Sequence, residues 1–342
     1  MKLKNYHIPI FVPHKGCPHD CVFCNQRHIT GQLAETTSDD VRRIIDGHLK
    51  TISADGRYVE ASFFGGSFTG IDMQKQTELL RAAYEYVKRG SVDGIRCSTR
   101  PDYINKEITE NFKTYGGTCI ELGVQSTDEQ VLKCSRRGHT FDDVKAASEI
   151  IKQSGISLGL QMMIGLVGDT AEKAVKTAAD IISLKPDCVR IYPTLVVKDT
   201  ELYNMYRAGA YKPLTTEEAV EQLSVIIPMF ERENISIIRV GLQTTEEINE
   251  DTVSGPYHPA IKELAEGRII RKVIEKNIPG FKAHTKITIG CNPSRVSEVI
   301  GHKKCNTLYF RQKYGIGIDV AANNVINVNT LNICGKNIDI YS

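Results

Sequence analysis

From residue 8 to about residue 242, short apolar runs alternate with stretches whose apolar residues recur at helical spacing. The runs 8–13, 58–65, 94–99, 119–125, 157–165 and 188–197 predict strands. The segments between them, 38–52, 72–88, 106–115, 128–134 with 141–153, and 171–184, predict amphipathic helices. Six β-α repeats argue for an α/β fold with a parallel sheet and helices outside it. Several strands are apolar nearly throughout, as in Ile164-Gly165-Leu166-Val167, which suits burial on both faces. Glycines stand at strand exits, at Gly65-Gly66 and Gly168, and in parallel α/β folds the C-terminal strand ends carry the site. A helix over 216–233 and a short strand over 235–240 close this unit.

Turn residues Ser254-Gly255-Pro256-Tyr257-His258-Pro259 mark a boundary, so the chain divides into 1–252 and a smaller unit over 253–342. The latter reads as a helix (260–275), a strand (286–291), a short helix from Ser294 and two or three strands between 316 and 341, a small α+β domain. Its charge is uneven. Residues 262–313 hold twelve Lys and Arg against four Asp and Glu, within a whole chain of net charge +2. Lys282, His284, Lys286, Arg295, His302, Lys303, Lys304, Arg311 and Lys313 interleave with Phe281, Tyr309, Phe310 and Tyr314. That composition suits RNA contact, with cations on phosphates and rings on bases. A solubilising charged face over core aromatics is the alternative.

At 342 residues, 41% hydrophobic and 25% charged, the chain is ordinary globular material, which excludes disordered and collagen-like classes. No apolar run approaches the roughly 20 residues of a membrane span. The first residues lack the apolar core of an export signal, so a cytoplasmic location is expected. In that compartment ten cysteines are thiols, ligands or redox groups rather than a disulfide framework. Cys97, Cys119, Cys134, Cys188, Cys291, Cys305 and Cys334 are scattered and read as small buried hydrophobes.

The other three crowd into eight residues. Cys17-x3-Cys21-x2-Cys24 follows the first predicted strand directly. Three thiolates on a short loop can hold three irons of a [4Fe–4S] cube and leave the fourth without a protein ligand. An open metal position separates a catalytic site from a sealed structural one. His14, Lys15, His19, Arg27 and His28 surround the loop and favour thiolate over thiol. A zinc site of three cysteines and one histidine is the competing reading, although the second C-x2-C knuckle common in structural zinc sites is missing from the sequence.

This spacing, with Phe23 before the last cysteine, resembles the radical S-adenosylmethionine (SAM) superfamily. The resemblance implies a partial (β/α)6 barrel, SAM chelated to the open iron, and reductive cleavage to a 5′-deoxyadenosyl radical. Gly65-Gly66-Ser67 stands where the family has a Gly-Gly-(Glu/Thr) turn at the methionine amino group. Ser98-Thr99-Arg100-Pro101-Asp102-Tyr103, Glu121-Leu122-Gly123-Val124-Gln125-Ser126, Arg136-Arg137-Gly138-His139-Thr140 and Ile191-Tyr192-Pro193-Thr194-Leu195-Val196 follow in order. Together they resemble the radical SAM region of the Elongator catalytic subunit, which modifies wobble uridine in tRNA. The similarity runs from about residue 8 to about residue 245 and is shared more loosely with oxygen-independent coproporphyrinogen oxidases.

By position Gln125 and Arg137 match polar residues at the SAM ribose or carboxylate in those relatives. Ser98 stands where relatives carry Glu, and Gln161 where coproporphyrinogen oxidase-like proteins have Asp. Tyr192 lines the adenine, the substrate or the core. The implied cofactor contacts are thus Phe23, Gly65, Gly66, Ser67, Gln125, Arg137, Gln161 and Tyr192, with Cys17, Cys21 and Cys24 as metal ligands. No catalytic side chain is identified. The Elongator subunit's basic N-terminal extension and acetyl-CoA loop have no counterpart in the sequence, so acetyl transfer is not carried over. Gln26 replaces a further cysteine of the coproporphyrinogen oxidases. The expectation is a radical SAM enzyme acting on RNA, a tRNA base, fed by a one-electron donor of flavodoxin or ferredoxin type. A small-molecule or tetrapyrrole substrate, or a non-catalytic metal-holding RNA-binding protein, are the alternatives.

Overall fold

Thr-x-x-acid sequences start three of the helices. At Thr37/Asp40, Thr140/Asp143 and Thr215/Glu218 the hydroxyl accepts the third helical N–H while the acid takes the threonine's own N–H. The computed structural model describes residues 4–12, 20–24, 35–53, 56–242, 251–278 and 285–342. In chain order the first part contains β1 (Lys4–Val12), α1 (Ser38–Leu49), β2 (Arg57–Gly65), α2 (Met73–Lys88), β3 (Gly94–Thr99), α3 (Lys106–Thr114), β4 (Gly117–Gln125), α4 (Glu129–Cys134) and α5 (Phe141–Gln153). It continues with β5 (Ser157–Ile164), α6 (Ala171–Ser183), β6 (Cys188–Pro193), β7 (Val196–Val197), α7 (Glu201–Arg207), α8 (Thr216–Arg232) and β8 (Ser236–Val240). The second part holds β9 (Thr252–Ser254), α9 (Ile261–Asn277), β10 (Lys286–Cys291), α10 (Val296–Ile300), α11 (Cys305–Tyr314), β11 (Gly317–Ala322), β12 (Thr330–Ile333) and β13 (Lys336–Asp339).

Seven strands pair in the order β1-β2-β3-β4-β5-β6-β8, each pair parallel, and curl into a partial barrel with the helices outside. Val59, Ala61 and Phe63 of β2 and Leu158, Leu160, Met162 and Ile164 of β5 join the core under the helices. The alternate residues share the concave face, and that face is polar. Arg96 Nε donates to Glu60 at 2.8 Å and its Nη1 to Glu121 at 3.0 Å. Arg190 grips Glu121 with Nε at 2.5 Å and Nη2 at 3.0 Å. Gln161 Nε2 donates to Glu121 and to Ser98 Oγ, each at 3.2 Å. Gly159 makes room for this network, since a Cβ there would stand 2.7 Å from Glu121 Cγ and 3.3 Å from Cys188 Sγ.

The second sheet has the order β11-β10-β12-β13, with β10 and β11 parallel and the others antiparallel. It does not stand apart. One apolar core runs from Ile8 to Tyr341, and Arg268 and Lys272 of α9 reach Glu221 of α8 at 2.5 Å. β9 pairs antiparallel with β7, which brings the start of the tail to the end of the barrel strands.

Three expectations change. The strand expected over 188–197 is broken: Pro193 offers no N–H to a ladder, and Thr194 turns its N–H and hydroxyl to Ile164 O at 3.0 and 2.8 Å. Cys305 and Cys334 are exposed rather than buried. In the tail, Lys286 pairs with Asp319 (2.7 Å), Arg295 with Glu266 (3.1 Å) and Lys313 with Glu275 (2.8 Å). Phe310 is fully buried, and Tyr309 and Tyr314 both bond Glu275. Those rings serve the core, because a carboxylate at the centre of the cluster draws hydroxyl and ammonium inward. His302, Lys303, Lys304 and Arg311 remain exposed, while Phe281, Lys282 and His284 lie outside the described residues.

Removing one partner of a buried ion pair costs about 3–5 kcal/mol, whereas losing a helix cap costs about 1 kcal/mol. Glu121→Ala is therefore expected to lower the urea midpoint several times more than Thr140→Ala. Equal midpoints would mean that the arginines find water when the carboxylate is gone.

Candidate functional site

The cysteine loop leaves β1 at the C-terminal end of the parallel strands. Cys21 is buried, Cys24 half-buried, and a turn joins them through Cys24 N–H to Cys21 O at 2.9 Å. Cys17, with His14, Lys15, His19, Gln26, Arg27 and His28, lies outside the described residues. Two backbone bonds pin the loop: Val22 N–H to Ser135 O at 3.2 Å and Leu202 N–H to Val22 O at 2.7 Å. Val22 packs on Val196, Leu202 and Tyr211, and Phe23 joins that apolar cluster with Val167, Tyr203, Met205 and Tyr206. The structure thus places Phe23 against α7.

Arg136, at φ +52°, turns the chain so that Arg137 points inward. Arg137 Nη1 donates to Cys21 Sγ at 3.4 Å and Nη2 to Gly123 O at 2.6 Å. Opposite it, the β4–β5 register slips between Gly123 and Gln125, and Gln125 adopts φ +67°. A non-glycine residue there costs about 1–2 kcal/mol, which neighbouring bonds must offset. Arg137 on Gly123 O and His139 Nε2 on Val124 O, at 3.2 Å, clamp the bulge. Because a carbonyl only accepts, Nε2 carries the histidine proton and Nδ1 is bare. Gly123 has no room for a side chain, since its Cβ would lie 2.8 Å from Gln125 Nε2.

At the end of β2, Gly65 takes φ +103°, Gly66 N–H bonds Val12 O at 3.0 Å, and buried Ser67 precedes Phe68, which stacks on Phe63 at 4.6 Å. Gln161 and Tyr192 sit on the concave face. Gln161 is committed to Ser98 and Glu121, and half-buried Tyr192 bonds Arg190. Burial raises the Tyr192 phenol above its ordinary value. The structure therefore gathers Cys21, Gly123, Gln125 and Arg137 into one constellation and puts Gln161 and Tyr192 in the polar network beside it. Sequence reasoning passed over Glu60, Arg96 and Arg190. Their signal was present as opposite charges at alternate positions inside apolar strands.

Two atoms of this constellation, Gln125 Oε1 and Arg137 Nε, are buried without a hydrogen-bond partner. Native proteins leave few such groups unmatched. The Radical SAM superfamily profile matches residues 11–181, and the Radical_SAM C-terminal domain profile residues 186–271. The chain belongs to the radical SAM superfamily. Enzymes of this superfamily use a [4Fe–4S] cluster and SAM. A thiol pair in the described loop, an unpaired donor, an unpaired acceptor and a glycine cradle fit that pair of groups.

The radical SAM chain is 30% identical over 243 residues to a tRNA uridine(34) acetyltransferase of Methanocaldococcus jannaschii, covering 64% of this chain and 42% of that protein. It is 31% identical over 182 residues to Elongator complex protein 3 of Homo sapiens, covering 52% and 32%. This chain thus spans less than half the length of these relatives. Among solved structures, the archaeal Elp3 of Methanocaldococcus infernus with an N-terminal deletion superposes with TM-score 0.61 at 22% identity, over 81% of this chain and 64% of that one. The superposition shows the shared fold.

Burial, and then the Arg137 and Arg100 charges, push His139 down to about 3. The unfolded chain takes up this proton near its ordinary value, so stability falls as pH drops below about 6.5, a loss of about 2 kcal/mol by pH 5. Replacement by His139→Gln should flatten the denaturant midpoint between pH 7 and pH 5. An unchanged slope would assign the acid sensitivity elsewhere.

Proposed function

We propose that the chain reductively cleaves SAM at a [4Fe–4S] cluster held by Cys17, Cys21 and Cys24, and acts on RNA, a base of a tRNA. One observation carries the reading: Cys21 Sγ, Arg137 and Gly123 O form a bonded chain that ends beside the unpaired Gln125 Oε1, at the strand ends of a parallel half-barrel. When bound, cluster and SAM supply a one-electron S–C cleavage that yields a 5′-deoxyadenosyl radical. The protein's part is placement and exclusion. Arg137 offers Nε to an anionic group, Gln125 offers Oε1 to a donor, and the Gly65-Gly66-Ser67 turn lets an amino group approach backbone. Ser98, Gln161 and Tyr192 line the concave side, where a substrate would rest. Residues 1–252 would form the catalytic barrel and 253–342 the accessory unit.

RNA as substrate is supported by the names of the relatives and by the tail's exposed cations. The His302 ring lies 5.5 Å from His258, a few residues beyond β9, so His302, Lys303 and Lys304 border the end of the barrel that carries the cysteine loop. Cations there would track phosphates while one base enters the lumen. Among the described residues no helix is long and apolar enough to cross a membrane.

Anaerobically reconstituted protein should turn SAM into 5′-deoxyadenosine under dithionite. Arg137→Ala should cut the yield at least about tenfold, as loss of a charge-assisted contact does. Cys21→Ala should lose iron. Mass spectrometry of tRNA from a deletion strain should reveal a missing modification, and Lys303→Glu with Lys304→Glu should weaken tRNA binding most at low salt. Zinc in place of iron, or no deoxyadenosine, would end the catalytic reading. An unaltered tRNA profile would point to a small-molecule substrate.

A further inference from the structure

Each S–C bond broken consumes one electron that must enter from outside, so the reading above requires a docking place for its donor. α7 covers the described part of the cysteine loop. Its Leu202 N–H bonds Val22 O, and Tyr203, Met205 and Tyr206 pack on the apolar cluster that holds Val22 and Phe23. Beyond it the surface flattens into exposed Ala208-Gly209-Ala210 before Tyr211 turns back into the cluster. On the other flank, the end of α4 holds Val22 N–H through Ser135 O. The two segments that grip the loop are therefore also the surface above it.

Cations outnumber acids on that surface. Residues 129–136 contribute Lys133 and Arg136 against Glu129; residues 201–212 contribute Arg207 and Lys212 against Glu201. Glu201 is engaged by Arg136 at 3.4 Å, and Arg207 lies on the Tyr203 ring, 5.9 Å from its centroid. Lys133, Arg136, Arg207 and Lys212 are exposed. An aromatic and methionine centre within an arginine and lysine rim is the make-up of a protein docking face, and its charge selects an acidic partner.

We propose that the α7 face, with Lys133 and Arg136 beside it, is the docking surface for a small acidic one-electron carrier protein, which hands its electron inward across Val22 and Phe23. The carrier is oxidised by one electron and the cluster reduced by one. The electron then leaves in the breaking S–C bond, giving methionine and the carbon radical, so no other reductant is required. The cations fix the carrier's approach by long-range attraction, and the tyrosines exclude water beneath it.

A reduced flavodoxin serves as probe, and its binding is read directly by fluorescence anisotropy at several salt concentrations, without any need for turnover. The triple change Lys133→Glu, Arg207→Glu, Lys212→Glu should weaken flavodoxin binding at least about tenfold and flatten its salt dependence. Flavodoxin-driven deoxyadenosine formation should fall with it, while the dithionite-driven yield stays within about twofold of the parent. The tail pair Lys303→Glu, Lys304→Glu should leave flavodoxin binding unchanged. Unaltered binding in the triple variant overturns the proposal, as does an equal loss of the dithionite-driven yield, or loss of tRNA binding with flavodoxin binding retained. Should the parent protein make no deoxyadenosine with dithionite, the enzymatic reading fails, and the binding measurement still decides the surface.

Discussion

A carboxylate withdrawn from water must be neutralised by its neighbours, or the strand that carries it cannot keep its place. Glu121 is such a group, 1% exposed in the middle of β4. Burial alone would push its carboxyl up, but Arg190 and then Arg96 hold it below the ordinary value, so it stays ionised. From this one charge the concave face takes its character. Arg96 reaches on to Glu60, and the bonds span β2, β3, β4 and β6. Because a carboxylate can only accept, Gln161 must present Nε2 to it, which turns the amide oxygen the other way.

Much of the barrel was legible because both its periodicities are strong. The strand over 94–99 and the helix over 141–153 coincide with β3 and α5, whose boundaries are set by a glycine-led apolar run and by a Thr-x-x-Asp start. Where reading stopped short, a tertiary partner had decided the matter. α7 is only seven residues long and owes its place to Val22, a contact across most of the chain that no local pattern announces. α11 starts after two lysines in left-handed conformation, Lys303 and Lys304, a start that the usual capping residues do not signal. In the tail, composition suggested alternating rings and cations on one surface. The fold instead buried Phe310 in the core and turned the Tyr309 and Tyr314 hydroxyls to Glu275, because burying aromatic area outweighs presenting it.

The candidate site was legible as residue types and opaque as geometry. Cys21, Gln125 and Arg137 stand out in the sequence only beside motif neighbours, whereas what joins them is a register slip at Gly123 and a left-handed turn at Arg136. Both are backbone events that spend local stability to aim a side chain. His139 belongs to the same device, since it secures the carbonyl just ahead of Gln125.

The antiparallel pair of β7 and β9 lies between the cysteine loop's cover and the first residues of the tail, with Lys198 N–H on Asp251 O at 2.9 Å as a further stitch. The polypeptide is in this way sewn to the cover of its cysteine loop where the tail begins. Pulling the tail away from the barrel would therefore mean breaking this pairing as well as the shared apolar core.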